Sequence, residues 1–252
     1  MSYTFSLKNK VAVVTGCNKG LGYAMAIALA DAGADIVAVN RSESESLKAA
    51  IIEKGCRFLS IKADLTSIAS VDYIVEETVK AFGKVDVLVN NAGMIKRADA
   101  IAFSEADWDL VMDINLKTVF FLSQAFAKQY IKQGHGGKII NIASMLSFQG
   151  GVRVPSYTAS KSGVMGITRL MANEWAKHGI HVNAIAPGYM ATDNTQAIRE
   201  DAVRESEILS RIPAGRWGEP EDLAGPVIFL ASSASDYVNG YTLAVDGGWL
   251  AR

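Results

Sequence analysis

The run Ser156-Tyr157-Thr158-Ala159-Ser160-Lys161 places a phenol and an ammonium four residues apart. On a helix that spacing puts both side chains on one face, where the cation favours the ionised phenol. A phenol with its ordinary pKa of about 10 is a poor base near neutrality, and lowering it brings the group into the range of acid–base work. An exposed Tyr and Lys one turn apart would satisfy the same pattern, so the pair needs a second signal. That signal is Thr15-Gly16-Cys17-Asn18-Lys19-Gly20-Leu21-Gly22. Glycines let the backbone turn tightly and approach a pyrophosphate, whose charge meets the N–H groups that open a helix. Such a turn needs glycine with or without a ligand. Its position at the first strand–helix junction favours a nucleotide and predicts Gly16, Asn18, Lys19, Gly20, Leu21 and Gly22 as contacts.

A further contact is expected roughly twenty residues on, at Asn40-Arg41, where folds that take NAD carry an acidic residue for the ribose hydroxyls. Asn40 carries no charge there, and Arg41 with Lys19 could neutralise a 2′-phosphate. As solvated surface cations they would do nothing of the kind. Between the two forms of NAD(P)(H), the pattern favours NADP(H).

Groups of this kind must be held at strand ends. β-Branched runs at 11–15, 35–39, 58–62, 85–89, 138–142, 181–185 and 241–245 alternate with helical patterns. Apolar strands joined through helices imply parallel pairing with helices on both faces. The expected fold is therefore α/β: a single dinucleotide-binding catalytic domain over 1–252 with a doubly wound parallel seven-stranded sheet. The polar segment 189–216 breaks the rhythm after Ala186-Pro187-Gly188. It reads either as a substrate lid or as a solvated helical insertion.

A net charge of −1 with no basic run gives no case for nucleic acid as a partner. Met1 to Lys10 has no apolar leader, and no later apolar stretch is expected to span a membrane, so the protein should be cytoplasmic. Cys17 and Cys56 are expected to remain thiols. With His135, His178 and His181 standing apart from any acidic or cysteine cluster, no metal is expected.

The Thr-Gly-x-x-x-Gly-x-Gly opening, Asp64-Leu65 after the third strand, Asn90-Asn91-Ala92-Gly93 after the fourth, and Tyr157 with Lys161 resemble the short-chain dehydrogenase/reductase family over essentially the whole chain. The resemblance implies a Rossmann-like fold, adenine contacts at Asp64 and Leu65, and cofactor lining at Asn91, Ala92 and Gly93. Asp64 could equally cap the following helix. It also implies a catalytic set of Asn115, Ser144, Tyr157 and Lys161, Ser144 lying 157 − 144 = 13 residues before Tyr157. Hydride would pass between the nicotinamide and a carbonyl carbon while Tyr157 handles the proton and Ser144 holds the oxygen. Asn115 would hold a relay water, Lys161 the nicotinamide ribose, and Pro187, Gly188 and Thr192 the nicotinamide side. A homotetramer paired through the helix 156–178 and the preceding long one is also implied. Val164, Met165, Met171 and Trp175 there look like more apolar surface than one sheet can cover.

Within the family, 139–151, 154–157 and the tail from Tyr237 to Trp249 resemble the 2-dehydro-3-deoxy-D-gluconate 5-dehydrogenases of hexuronate catabolism. A sugar acid needs a cation for its carboxylate and polar groups for its hydroxyls. Arg153 could supply the first, and Ser144, Met145, Gln149, Tyr189 and Asn194 could line the rest, though each is also ordinary loop chemistry. The alternatives are a reductase of another carbonyl, such as gluconate at C5 or a 3-oxoacyl chain, and a nucleotide-binding regulator without chemistry.

Overall fold

The computed structural model describes residues 4–252, so the first three residues of the stretch Met1 to Lys10, where no apolar leader was expected, lie outside the described residues. Strands β1 (Val11–Thr15), β2 (Asp35–Asn40), β3 (Phe58–Lys62), β4 (Val87–Asn90), β5 (Gly137–Ile142), β6 (Ile180–Pro187) and β7 (Thr242–Val245) pair in the order β3-β2-β1-β4-β5-β6-β7, every pair parallel. The order reverses between β1 and β4, and in an open parallel sheet the crevice above that reversal is where ligands bind. This is the doubly wound architecture expected from the sequence.

Alternate residues of each strand feed two cores. Ala12 and Val14 of β1 pack with Met25 and Leu29 of α1 (Gly20–Asp31) and with Val227 and Leu230 of α9 (Ala224–Ala231). Val11 and Val13 face the other side, against Ile74 of α3 (Val71–Phe82) and Leu122, Phe126 and Tyr130 of α5 (Thr118–Gln133). Burial on both faces explains why the strands read as unbroken apolar runs. The fourth run starts later than expected, at Val87. Val85 N–H donates to Gln133 Oε1 at 3.3 Å, and the Asp86 carboxylate accepts the Val11 N–H at 2.9 Å.

A short helix α2 (Glu45–Glu53) follows β2, and α4 (Glu105–Met112) runs through a π turn at Asp113–Lys117 into α5. By length and composition, 105–133 could cross a bilayer, which corrects the expectation that no stretch could. Its buried side chains, Leu122, Phe126 and Tyr130, are spent on the sheet. The π turn places Asn115 fully inside the fold. π Bulges of this kind interrupt a helix chiefly at functional positions.

Helix α6 (Pro155–Trp175) packs beside α4. Its apolar residues are distributed differently from the expectation. Val164 and Met171 are buried and Trp175 packs on the same core, whereas the outward apolar side chains are Leu170 here and Trp108 on α4. Beyond β6, residues 189–217 form two short helices, α7 (Gln196–Arg199) and α8 (Ala202–Leu209), which share an apolar cluster with the chain's end: Ile208, Ile212, Trp217 and Trp249, with Met145 beneath. The segment is polar on one side only, so it is not a wholly solvated insertion.

Candidate functional site

The glycine turn is built by close approach. Gly16 and Gly20 hold φ of 64° and 57°, and a Cβ at Gly22 would stand 2.3 Å from the Gly16 carbonyl oxygen and 2.4 Å from Asn91 Nδ2. Asn91 Nδ2 donates to the carbonyls of Thr15 and Gly16 at 2.9 and 2.8 Å, while Thr15 Oγ1 accepts the N–H groups of Asn91 and Ala92. Helix α1 begins at Gly20 with no side chain capping it and no acidic residue in its first turn. The glycines, the uncapped helix start and the flanking cations therefore fit a dinucleotide pyrophosphate.

Three expected contacts behave differently from their sequence reading. Asn40 is buried and turned inward, its Oδ1 accepting the Cys17 N–H at 2.7 Å, because that N–H inside the turn needs an acceptor. It shapes the loop and does not face a ribose. Lys19 donates to Asp193 Oδ2 at 2.6 Å and so is not a free cation. Leu65 is buried in the core, leaving only its backbone to the crevice. Asn18 Nδ2 donates to the Ser42 carbonyl at 2.7 Å, and Leu21 packs against the core. Arg41 does line an open recess of about 430 Å³ with Lys62, Ala63 and Asp64. Asp64 also accepts the Thr66 N–H, which holds its carboxyl below the usual range, but the helical turn that follows is capped by Ser67, so Asp64 is not the cap. Lys62 went unnoticed in the sequence. Its signal was positional, since it pairs in register with Asn40 at the end of β3.

At the carboxyl end of β5, buried Ser144 accepts the Leu146 N–H at 3.2 Å, and its own N–H donates to Ser147 Oγ at 3.3 Å. Ser147 Oγ donates to the Lys161 carbonyl at 2.6 Å, tying strand end to helix. Tyr157, in the first turn of α6, has its phenol within the influence of the Ser144 hydroxyl. Burial raises the phenol's pKa, opposed by that hydroxyl and by the charge of Arg97. The Lys161 ammonium lies 5.7 Å from the Tyr157 ring centre and donates to the Ile142 carbonyl at 2.6 Å, and burial lowers its pKa to about 8. Asn115 Oδ1 accepts the Met94 N–H while its Nδ2 donates to the Met94 carbonyl and to Ser160 Oγ. With both ends of its amide committed, its side chain pins the turn after Gly93.

Arg153 has φ of 63°, and its guanidinium pairs with Asp99 at 3.0 Å, both side chains being open to solvent. Arg97, missed in the sequence because it sits in an unpatterned loop, is exposed and donates to the Asn194 carbonyl at 3.2 Å. Met145 is buried beneath Tyr189, whose ring is flanked edge-on by Trp217 and Trp249 with centres 5.4 and 4.9 Å away. Gln149 is half-buried on the turn after Ser147. Asn194 touches this region through its backbone alone. Pro187, at the end of β6, is buried, and Gly188 lies so close to Asp246 that a Cβ would stand 2.6 Å from its Cα. Thr192 opens the turn that carries Asp193.

Residues 16–250 match a family model described as Enoyl-(Acyl carrier protein) reductase. The chain is 68% identical over 249 residues to the 2-dehydro-3-deoxy-D-gluconate 5-dehydrogenase of Dickeya dadantii, covering 99% of this chain and 98% of the relative. The enzyme of the same name from Escherichia coli is 67% identical, with 98% of both chains covered. Among solved structures, a gluconate 5-dehydrogenase from Burkholderia cenocepacia in complex with NADP and tartrate superposes with a TM-score of 0.94 at 40% identity, covering 98% of each chain. A protein from Agrobacterium tumefaciens with bound NADP gives 0.93 at 55% identity, covering 98% of this chain and 99% of that one.

Replacing Tyr157 by Phe keeps the ring and removes the proton. Turnover should fall at least ~100-fold, the usual weight of acid–base catalysis, with cofactor binding retained. Steady-state assay and cofactor titration check both halves, and near-normal turnover would exclude the phenol.

The Lys161 shift has a stability consequence of fixed sign. Between about pH 8 and the ordinary lysine value of 10.5, the unfolded chain holds the proton and the folded chain does not, so stability from this group rises with pH. Relative to Lys161→Met, the wild-type protein should therefore gain stability from pH 8 to 10 in denaturant titrations. A constant difference would show that the ammonium is not desolvated.

Proposed function

We propose, for a chain that belongs to the short-chain dehydrogenase/reductase family, that it interconverts a hydroxyl and a carbonyl on a sugar acid, with 2-dehydro-3-deoxy-D-gluconate at C5 as substrate and NADP(H) as the favoured cofactor. The enzyme is an oxidoreductase of the NAD(P)-dependent class. The relatives' names support the substrate, and the observation that carries it is Arg97. This cation is close enough to act on the Tyr157 phenol and is seated on the Asn194 carbonyl, so a carboxylate could dock beside the reacting carbon. Gluconate oxidised at C5 is the second reading, favoured by the gluconate 5-dehydrogenase that shares this fold over 98% of its length.

When bound, the nicotinamide exchanges hydride with the substrate carbon. The chain does the rest. Ser144, fixed by its two backbone contacts, offers its hydroxyl to the substrate oxygen, and Tyr157 Oη passes the proton. Lys161 brings a positive charge to the floor of the site beneath the phenol, and Asn115 holds the Met94 turn against Ser160. Gly16, Gly20, Gly22 and the start of α1 receive the pyrophosphate. Asn91, Ala92, Gly93, Pro187, Gly188 and Thr192 border the path to the nicotinamide. Arg41 and Lys62 flank the adenosine recess, and together with Lys19 on the glycine turn these cations suit a 2′-phosphate better than an unphosphorylated ribose. The juxtaposition of Ser144 and Tyr157 argues against a regulator that has lost its chemistry.

We further read the chain as one domain whose segment 189–216 closes over the substrate, as a cytoplasmic enzyme, and as a homotetramer. Leu170 on α6 and Trp108 on α4, both outward, support pairing through these helices.

A panel of keto-sugar acids assayed with NADPH and with NADH tests the substrate. Turnover should be highest with the 2,5-diketo form of 3-deoxygluconate, and Arg97→Met should raise KM for that acid roughly 10–100-fold, the loss of a charge-assisted contact of about 1.5–3 kcal/mol. Equal loss on a neutral keto-sugar would remove Arg97 as the carboxylate anchor. Sedimentation at micromolar concentration should give a tetramer, and a stable monomer would refute the pairing.

A further inference from the structure

Lys19 is the one charged residue in the glycine turn 16–22. It stands at the N-terminal boundary of α1 in an extended conformation, φ −159° and ψ 172°, and reaches across the crevice to Asp193 on the segment that follows β6. The pair is close, 2.6 Å, yet both side chains are open to solvent, 78% and 70% exposed. Asp193 has a second cation within range. Arg199 on α7 donates to the Thr192 carbonyl at 3.3 Å, and its charge, after that of Lys19, helps hold the Asp193 carboxyl below its usual range.

An ion pair this exposed is a weak link, because water and salt screen both charges. It cannot strap the segment down with any strength. What it does is place an acidic group on the cation that an anionic cofactor would use. A phosphate brings more charge and more acceptor oxygens than a carboxylate, so it should win the ammonium, while Arg199 remains to receive the displaced Asp193.

We propose that Asp193 is a specificity-determining residue: it occupies Lys19 until a 2′-phosphorylated cofactor displaces it, and so lowers the advantage of NADP(H) over NAD(H). The inference rests on the reading that Lys19 and Arg41 contact the 2′-phosphate. A neutral residue at 193 would leave Lys19 available from the start. The gain would fall mainly on the cofactor that carries the additional phosphate.

Dissociation constants for NADPH and NADH, measured by calorimetry on the full-length enzyme, test this without turnover. Asp193→Asn, an exposed and isosteric change, should tighten NADPH roughly 3–10-fold and NADH by less than about 2-fold, the scale of a released surface pair. Lys19→Gln should weaken NADPH, and in that background Asp193→Asn should have almost no effect, since the two residues act through one contact. Weaker binding of both cofactors to Asp193→Asn would overturn the proposal in favour of a strap. Equal tightening of both, or an undiminished gain without Lys19, would overturn it by showing that Asp193 repels the shared pyrophosphate. If Arg41→Ala weakens NADPH binding and Lys19→Gln does not, the cofactor reading survives and the role of Asp193 falls. If neither weakens it, the cofactor reading itself fails.

Discussion

Asn91 gives both amide protons to the carbonyls of Thr15 and Gly16, and Thr15 returns its hydroxyl oxygen to the N–H groups of Asn91 and Ala92. This exchange closes the ends of β1 and β4 on each other at the point where strand order reverses. Without it the glycine turn has no fixed height above the sheet. Gly22 must lie against both partners of the lock, so the start of α1 is set by the same contact. Beyond Asn91 the chain runs to Met94, held by Asn115, whose amide also reaches Ser160 on the helix that carries Tyr157. The glycine turn and the helix that carries Tyr157 are therefore linked through one stretch of four residues, 91–94 with its partners, rather than built independently.

Beneath this surface one chain of buried polar side chains is satisfied within itself. Asn90 donates to Ser123 and to Asn141, which in turn donates to Thr168 on α6. The network crosses from β4 through β5 to α6 and fixes the register between the sheet and the catalytic helix. A half-satisfied version would be worse than an apolar core, so its members stand or fall together. The Lys161 ammonium meets its own desolvation differently, through one short bond to the Ile142 carbonyl and a lowered pKa.

The substrate side is softer. Tyr189 is fixed by edge contacts to Trp217 and Trp249, and Arg211 stacks on Trp249 at 4.0 Å, so the chain's end supports the segment that faces the site. Asp246 holds this end by accepting the N–H groups of Gly248 and Leu250. Residues far apart in sequence thus form one small apolar cluster over Met145, and its outer face remains polar and open.

The parallel doubly wound sheet, its two-faced burial and the positions of the glycine turn and of Tyr157 with Lys161 were legible in the sequence, because each depends on spacing along one element or on a turn that only glycine allows, whereas Ser144 came from the family resemblance and the strand order from the fold. Side-chain partnerships were not legible. Asn40 looked like a ribose contact until the buried Cys17 N–H claimed it, and nothing in the spacing paired Arg153 with Asp99. Arg97 and Lys62 carried no local pattern and became visible only when parallel pairing brought their strand ends to one edge. Periodicity reports which way a side chain points from its own backbone. Which charge meets which is decided by groups a hundred residues away, and only the folded chain brings them together.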